Sequence, residues 1–148
     1  MLFRSIPKGR RLAIDVGTKR VGLAISDPSS IIASPLRTVS PEDLIDSLRE
    51  LVVSEEVSVI YVGLPLHLSG QEGISAEIAR ATASEIAEVL GIEVRLLDER
   101  LTTTSALKNS SGTKKPSKEN VDQIAAVALL EFALQSERNR GELAGQSL

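Results

Sequence analysis

The sequence has no cysteine and no tryptophan, one histidine, one tyrosine and two phenylalanines among 148 residues. The missing cysteine excludes disulfide staples, thiolate zinc sites and a cysteine nucleophile. A single imidazole cannot build a histidine-rich metal centre, so any metal must sit among oxygen ligands, which favours magnesium or manganese over zinc. Three aromatic residues are too few for a module that stacks nucleic-acid bases on rings. No apolar run approaches membrane-spanning length, and the start, MLFRSIPKGRR, lacks the apolar core of a signal peptide. The chain therefore reads as cytoplasmic, with no membrane partner.

Hydrophobic residues make up 42% of the chain, nearly all of them aliphatic, and the length suits a single core. A net charge of −3 does not advertise a nucleic-acid binder, but the charge is unevenly spread. Residues 1–20 hold Arg4, Lys8, Arg10, Arg11, Lys19 and Arg20 against Asp15 alone. A second basic cluster, Lys108, Lys114, Lys115 and Lys118, lies in a Gly/Ser/Pro-rich stretch. Either patch can attract phosphate; equally, both can be solvated ends and loops.

Hydrophobic periodicity gives the organisation. Arg11–Gly17 reads as a strand and Val21–Ser26 as its partner across the turn Thr18-Lys19-Arg20. A third strand falls within Ile31–Val39, where Pro35 implies a sheet edge. Ser40-Pro41-Glu42-Asp43 starts a helix whose buried stripe is Leu44, Ile45, Leu48, Leu51 and Val52. Val57–Leu64 has the dense apolar look of an interior strand. A helix over Ser75–Leu90 ends at Gly91, and Ile92–Leu97 forms the next strand. A short helix at Thr102–Lys108 precedes the basic loop. The last helix runs from Lys118 to Arg138, with Val121, Ile124, Ala125, Ala128, Leu129 and Phe132 on one face. The order βββ-α-β-α-β-α implies a three-layer α/β domain around a central mixed five-stranded sheet. Residues 1–138 form that single domain, and 139–148 a polar, frayed tail.

Asp15 is the most informative position. It interrupts Leu12-Ala13-Ile14-Asp15-Val16, and a carboxylate within a sheet is costly unless paired or hydrogen-bonded. By alternation it shares a face with Ala13, opposite Leu12, Ile14 and Val16. The plainer alternatives are a solvent-facing Asp or a salt bridge to Arg11. Gly17-Thr18-Lys19-Arg20-Val21-Gly22 follows, with small residues for close backbone approach and a basic pair for phosphate, or simply a hairpin turn. Asp98-Glu99-Arg100 ends a strand at the sheet edge where α/β proteins concentrate functional groups. Only one of the two acids there would meet Asp15, and the other reading is a charged terminus bridged to Arg100. Asp122 lies in the first turn of the last helix, where the helix dipole favours an acid without any function. His67 follows the central strand; a lone loop histidine is more often structural. Gly70-Gln71-Glu72-Gly73 is a substrate-facing loop or a plain connection. If the three acids converge, their repulsion calls for a divalent cation, and such a site suits in-line phosphodiester hydrolysis without cysteine, histidine or a serine triad.

These motifs together resemble one family. Ile14-Asp15-Val16-Gly17-Thr18-Lys19-Arg20-Val21-Gly22-Leu23-Ala24 is similar to the opening motif of the bacterial YqgF/RuvX proteins. Val62-Gly63-Leu64-Pro65-Leu66, Glu72-Gly73, Asp98-Glu99-Arg100-Leu101-Thr102-Thr103 and Val121-Asp122-Gln123-Ile124-Ala125-Ala126 match in order and spacing. The resemblance covers about Arg11 to Leu134. It implies an RNase H-like fold and a nuclease that processes the 5′ end of pre-16S ribosomal RNA during ribosome biogenesis. The family is also described as a Holliday junction resolvase. It further implies Asp15, Glu99 and Asp122 as catalytic and metal-binding acids, with Mg2+ or Mn2+ as cofactor. The nucleic acid, structured RNA or branched DNA, is expected on Thr18, Lys19, Arg20, Arg100, Lys114 and Lys115, in a monomer or a homodimer. His67 stands where the family pattern has Asn, and it receives no role. The loop Asn109–Lys118 is less basic than the family pattern.

Two rivals differ in class. Asp-x-Gly-Thr also opens the phosphate loop of actin-like ATPases and sugar kinases, but one domain of this length cannot enclose a nucleotide between two lobes. The other rival is a non-catalytic RNA-binding or assembly protein on the same fold.

Overall fold

Alternating apolar residues at the N-terminus build an antiparallel meander, and the computed structural model, which describes residues 6–102 and 118–148, shows it as β1 (Arg10–Val16), β2 (Val21–Ser26) and β3 (Ala33–Val39). Ser40 caps a 3-10 turn (Pro41–Asp43) that leads into α1 (Leu44–Ser54). Then come β4 (Val57–Leu64), α2 (Ile74–Leu90) and β5 (Glu93–Asp98). Gly91 ends α2 in the left-handed conformation, φ 63°, as its missing Cβ permits. A second 3-10 turn (Glu99–Leu101) follows β5, and α3 (Lys118–Arg140) and a two-residue strand, β6 (Gln146–Ser147), come last.

The strands form one mixed sheet in the order β3-β2-β1-β4-β5-β6. β1 pairs antiparallel with β2 and parallel with β4, and β4 runs parallel to β5. β3 lies at the edge, and the ladder slips where Pro35 faces Ala24, as a residue without an N–H requires. Leu12, Ile14, Ile60 and Val62 face a core made with α1 and α2. Ala13, Ala24, Tyr61 and Leu97 face a second core made with α3. The result is the three-layer α/β architecture of the expected class.

Three expectations need correction. Among the described residues the sheet has six strands, because residues 139–148 do not fray: Gln146–Ser147 forms β6, antiparallel to β5. Ala144 is fully buried, its N–H donates to the Tyr61 hydroxyl at 3.1 Å, and the Arg95 guanidinium donates to the Ala144 and Gly145 carbonyls. Backbone partners hold the segment where its side chains gave no periodicity. Second, α3 buries Ala126, Leu129, Leu130, Ala133, Leu134 and Glu137, whereas Val121, Ile124, Ala125 and Ala128 are half-buried and Phe132 is exposed. Apolar residues surround this helix, so spacing alone could not fix its rotation; the face it buries packs on Ala13, Ala24, Tyr61 and Leu97 and brings Glu137 onto Arg11. Third, the basic N-terminal run is not one patch. Arg11 is 2% exposed and bonded to Glu137, Arg10 faces Glu55 at 3.8 Å, and Arg20 is paired with Asp122. The expected short helix at 102–108 lies outside the described residues except for Thr102.

Candidate active site

Alternation along β1 puts Arg11, Ala13 and Asp15 on the face covered by α3. Asp15 sits between two glycines. Gly22 is its direct partner across the β1–β2 ladder. Gly63 on β4 comes one residue after Val62, the partner of Ile14. At Gly22 a Cβ would collide with the main-chain carbonyl of Asp122, so the missing side chain is what lets the first turn of α3 lie on the strand. At Gly63 a Cβ would stand 2.5 Å from Glu99 Oε1 and 2.9 Å from its Cγ. Glu99 therefore crosses β4 over a glycine. β5 ends at Asp98, whose carboxylate accepts the Arg100 N–H at 2.9 Å and turns the chain into the 3-10 helix that presents Glu99.

The structure thus brings Asp15 and Glu99 into hydrogen-bond contact. Burial pushes the Glu99 carboxyl up to about 8, and the hydrogen bond and charge of Asp15, with the charge of Asp98, push the same way. Burial also raises Asp15; the bond from Glu99 opposes that rise and the nearby Asp122 charge adds to it. At neutral pH the two carboxyls share a proton, with Glu99 donating to Asp15. This is the behaviour of acids packed too closely to ionise together.

Asp122 is near enough for its charge to be felt at Asp15, but its carboxylate is engaged elsewhere: Arg20 Nε donates to Asp122 Oδ2 at 2.9 Å. The next residue, Gln123, donates from Nε2 to Thr38 Oγ1 at 3.0 Å, tying α3 to β3. Among the described residues no three His, Asp or Glu side chains stand together closely enough to surround a cation. The donor set nevertheless suits a hard divalent ion: two carboxylates in proton-sharing contact gain from a cation between them, and a third lies beside them on a salt bridge.

Thr18 and Lys19 are exposed in the β1–β2 turn, which Gly17 closes by donating its N–H to the Arg20 carbonyl at 3.0 Å. Arg20 and Arg100 are both committed to carboxylates. Arg100 binds Asp98 through Nε and a terminal nitrogen, and also donates to the carbonyls of His67 and Leu68. Lys114 and Lys115 lie outside the described residues. His67 is exposed, against Gly73, whose Cβ would stand 2.8 Å from its Nε2. Arg11 does not pair with Asp15.

Two features went unread in the sequence. A glycine inside the apolar run VSVIYVGL marks a close approach, and that signal for Gly63 was available. The buried cluster of Arg11, Glu137 and Tyr61 had none, because its members are distant in sequence. Arg11 donates to both Glu137 carboxylate oxygens at 3.0–3.2 Å, and the Tyr61 hydroxyl donates to Oε2 at 2.5 Å.

Comparison with known proteins agrees with this architecture. The model of the RuvX family, described as Holliday junction resolvase, matches residues 9–136. A Streptomyces avermitilis protein named "Putative pre-16S rRNA nuclease" is 43% identical over 95% of both chains. A protein of the same name from Mycobacterium ulcerans is 47% identical over 88% of this chain and 81% of its own. Among solved structures, Thermus thermophilus RuvC in complex with Holliday junction substrate superposes with a TM-score of 0.60. It covers 95% of this chain and 99% of that one at 13% identity, a likeness of fold.

Proposed function

The chain belongs to the RuvX family, and on that footing we propose that it is a metal-dependent nuclease hydrolysing phosphodiester bonds in the maturation of pre-16S ribosomal RNA. The single observation that carries the reading is the Asp15–Glu99 contact, an acid of β1 and an acid of the turn after β5 brought together over Gly63. Two acids packed this closely repel when both are ionised, and a divalent cation that displaces the proton and lies between them relieves that repulsion. The family description and the relatives' name support the class of reaction and the RNA respectively. We assign Asp15, Glu99 and Asp122 as catalytic, metal-binding acids and the whole chain, tail included, as one nuclease unit.

When bound, Mg2+ or Mn2+ would be held by Asp15 and Glu99, with Asp122 as the third carboxylate, and would supply a nucleophilic water and charge stabilisation at phosphorus. The residues of the chain do the rest. Gly17 lets the turn beside Asp15 close tightly on the Arg20 carbonyl, which a Cβ there would meet at 2.5 Å, and Gly22 makes room for the main chain of Asp122. Lys19 offers a mobile positive charge and Thr18 a hydroxyl from the same turn. Asp98 neutralises Arg100 and holds it on the His67–Leu68 carbonyls, which fixes the strand end that carries Glu99.

The test is a cleavage panel with Mg2+ or Mn2+: precursor 16S rRNA ends, single strands and four-way DNA junctions. Preferred cutting of the rRNA precursor supports the proposal. Exclusive cutting of junctions would move the substrate to branched DNA, the reaction for which the family is described, and no cutting of any substrate would oppose the nuclease reading.

A further inference from the structure

The arrangement of the third acid carries a further step, which rests on the metal-dependent reading above. Asp122 is the member of the carboxylate set that the sheet does not place against Asp15. Its main chain packs on Gly22, the cross-strand partner of Asp15, which keeps it beside the pair. What occupies its side chain is Arg20, from the turn joining the strand of Asp15 to the strand of Gly22. Arg20 uses only one end of its guanidinium for this: Nε meets Asp122 Oδ2 at 2.9 Å, and among the described residues the two terminal nitrogens make no hydrogen bond. The side chains are 36% and 20% exposed, so the pair is open to competitors and lacks the depth that makes an ion pair permanent. Compare Arg11 with Glu137, exposed 2% and 7%, held by three hydrogen bonds and inaccessible to any ligand.

We propose that Arg20 is a positioning residue that holds Asp122 off the Asp15–Glu99 pair in the free protein and releases it when the guanidinium transfers to a substrate phosphate. The ligand is a phosphodiester backbone, the chemistry to which a guanidinium with two unused terminal nitrogens is complementary. A cation and Arg20 compete for one carboxylate, while a phosphate and Asp122 compete for one guanidinium. Each ligand therefore removes an obstacle to the other, and the two bind with positive coupling. The third carboxylate becomes available only with nucleic acid present, which keeps the cation weakly held in the free protein.

The direct readout is cation affinity without nucleic acid, measured on the full chain by calorimetry or electron paramagnetic resonance with Mn2+ as the probe. Arg20→Gln is expected to bind Mn2+ about fivefold more tightly than the parent or better, the lower end of ordinary coupling between sites. Arg20→Lys retains a cation on Asp122 and is expected to fall back toward the parent. Lys19→Gln removes the same charge one residue away, from a side chain with no ion pair among the described residues, and is expected to change the affinity less than twofold. The gain should vanish in Arg20→Gln/Asp122→Asn. Unchanged or weaker Mn2+ binding by Arg20→Gln, or an equal gain from Lys19→Gln, would overturn the proposal. An absence of cleavage with the Mn2+ gain intact would strike the nuclease reading alone.

Discussion

Asp15 on β1 and Gly22 on β2 face each other across an antiparallel ladder, and the space where Gly22 lacks a side chain is filled by the main chain of Asp122. A glycine thus sets the distance between a strand acid and a helix acid. Gly22→Ala would drive its Cβ into backbone, which cannot rotate away, and to 2.9 Å from Asp122 Cβ. The first turns of α3 must lift, at a cost of about 1–3 kcal/mol. Cleavage should fall on the order of 100-fold through displacement of Asp122. Gly63→Ala meets mainly the ends of Glu99 and Leu129, so it should cost less stability while still impairing cleavage. Thermal denaturation and single-turnover cleavage of both variants separate the two cases; equal stability losses would contradict them.

The shared proton makes stability depend on pH. Glu99 titrates at about 8 in the folded protein against an ordinary 4.5, so the folded state holds its proton more tightly than the unfolded state. That stabilisation is complete below the ordinary carboxylate range and is lost as the pH rises through about 8. Metal-free protein in chelator should therefore lose stability between pH 5 and pH 8.5. Glu99→Gln should lose less, by at least about 1 kcal/mol, the worth of a single pKa unit. Urea titrations at the two pH values measure this, and parallel behaviour of parent and variant would mean that no proton is shared.

The buried cluster behind the site should dominate stability. Arg11→Met leaves the Glu137 carboxylate buried without its cation, which costs about 3–5 kcal/mol. Tyr61→Phe strands the Ala144 N–H and removes one donor from Glu137, costing about 1–3 kcal/mol. Arg11→Met combined with Glu137→Leu should be more stable than Arg11→Met alone, since no lone charge remains. A double variant less stable than the single one would show that packing, not charge, holds this region.

Much of the frame was legible in the sequence, and the reasons differ by element. Val57–Leu64 and the Gly91 stop declare themselves because an interior strand is apolar throughout and a left-handed cap wants glycine. The separation of Asp15 from Leu12 and Ile14 follows from strand alternation and is what the sheet shows. That Glu99 rather than Asp98 meets Asp15 was implied only by the family resemblance, because the register of β5 beside Gly63 is encoded in no local pattern. The burial of Arg11 was invisible for a related reason: its partner lies 126 residues away on α3. The tail was misread because β6 is held by backbone bonds and by Arg95, and neither leaves a hydrophobic period.

Phosphate contact should be detectable at Lys19, which is exposed and has no ion pair among the described residues. Lys19→Gln should weaken binding to a structured rRNA fragment and reduce the slope of log affinity against log salt by about 0.7–0.9. An unchanged slope would place the nucleic acid away from the β1–β2 turn.

The most direct measurement is cleavage of a precursor 16S rRNA fragment by Asp15→Asn and Glu99→Gln in Mg2+ or Mn2+, with thermal denaturation in parallel. Each variant should fold with stability near that of the parent, because an amide then stands beside the remaining carboxylate where a carboxyl stood, and each should lose cleavage by on the order of 1,000-fold or more. Folded variants that cut at the parental rate would contradict a catalytic site built on the Asp15–Glu99 pair.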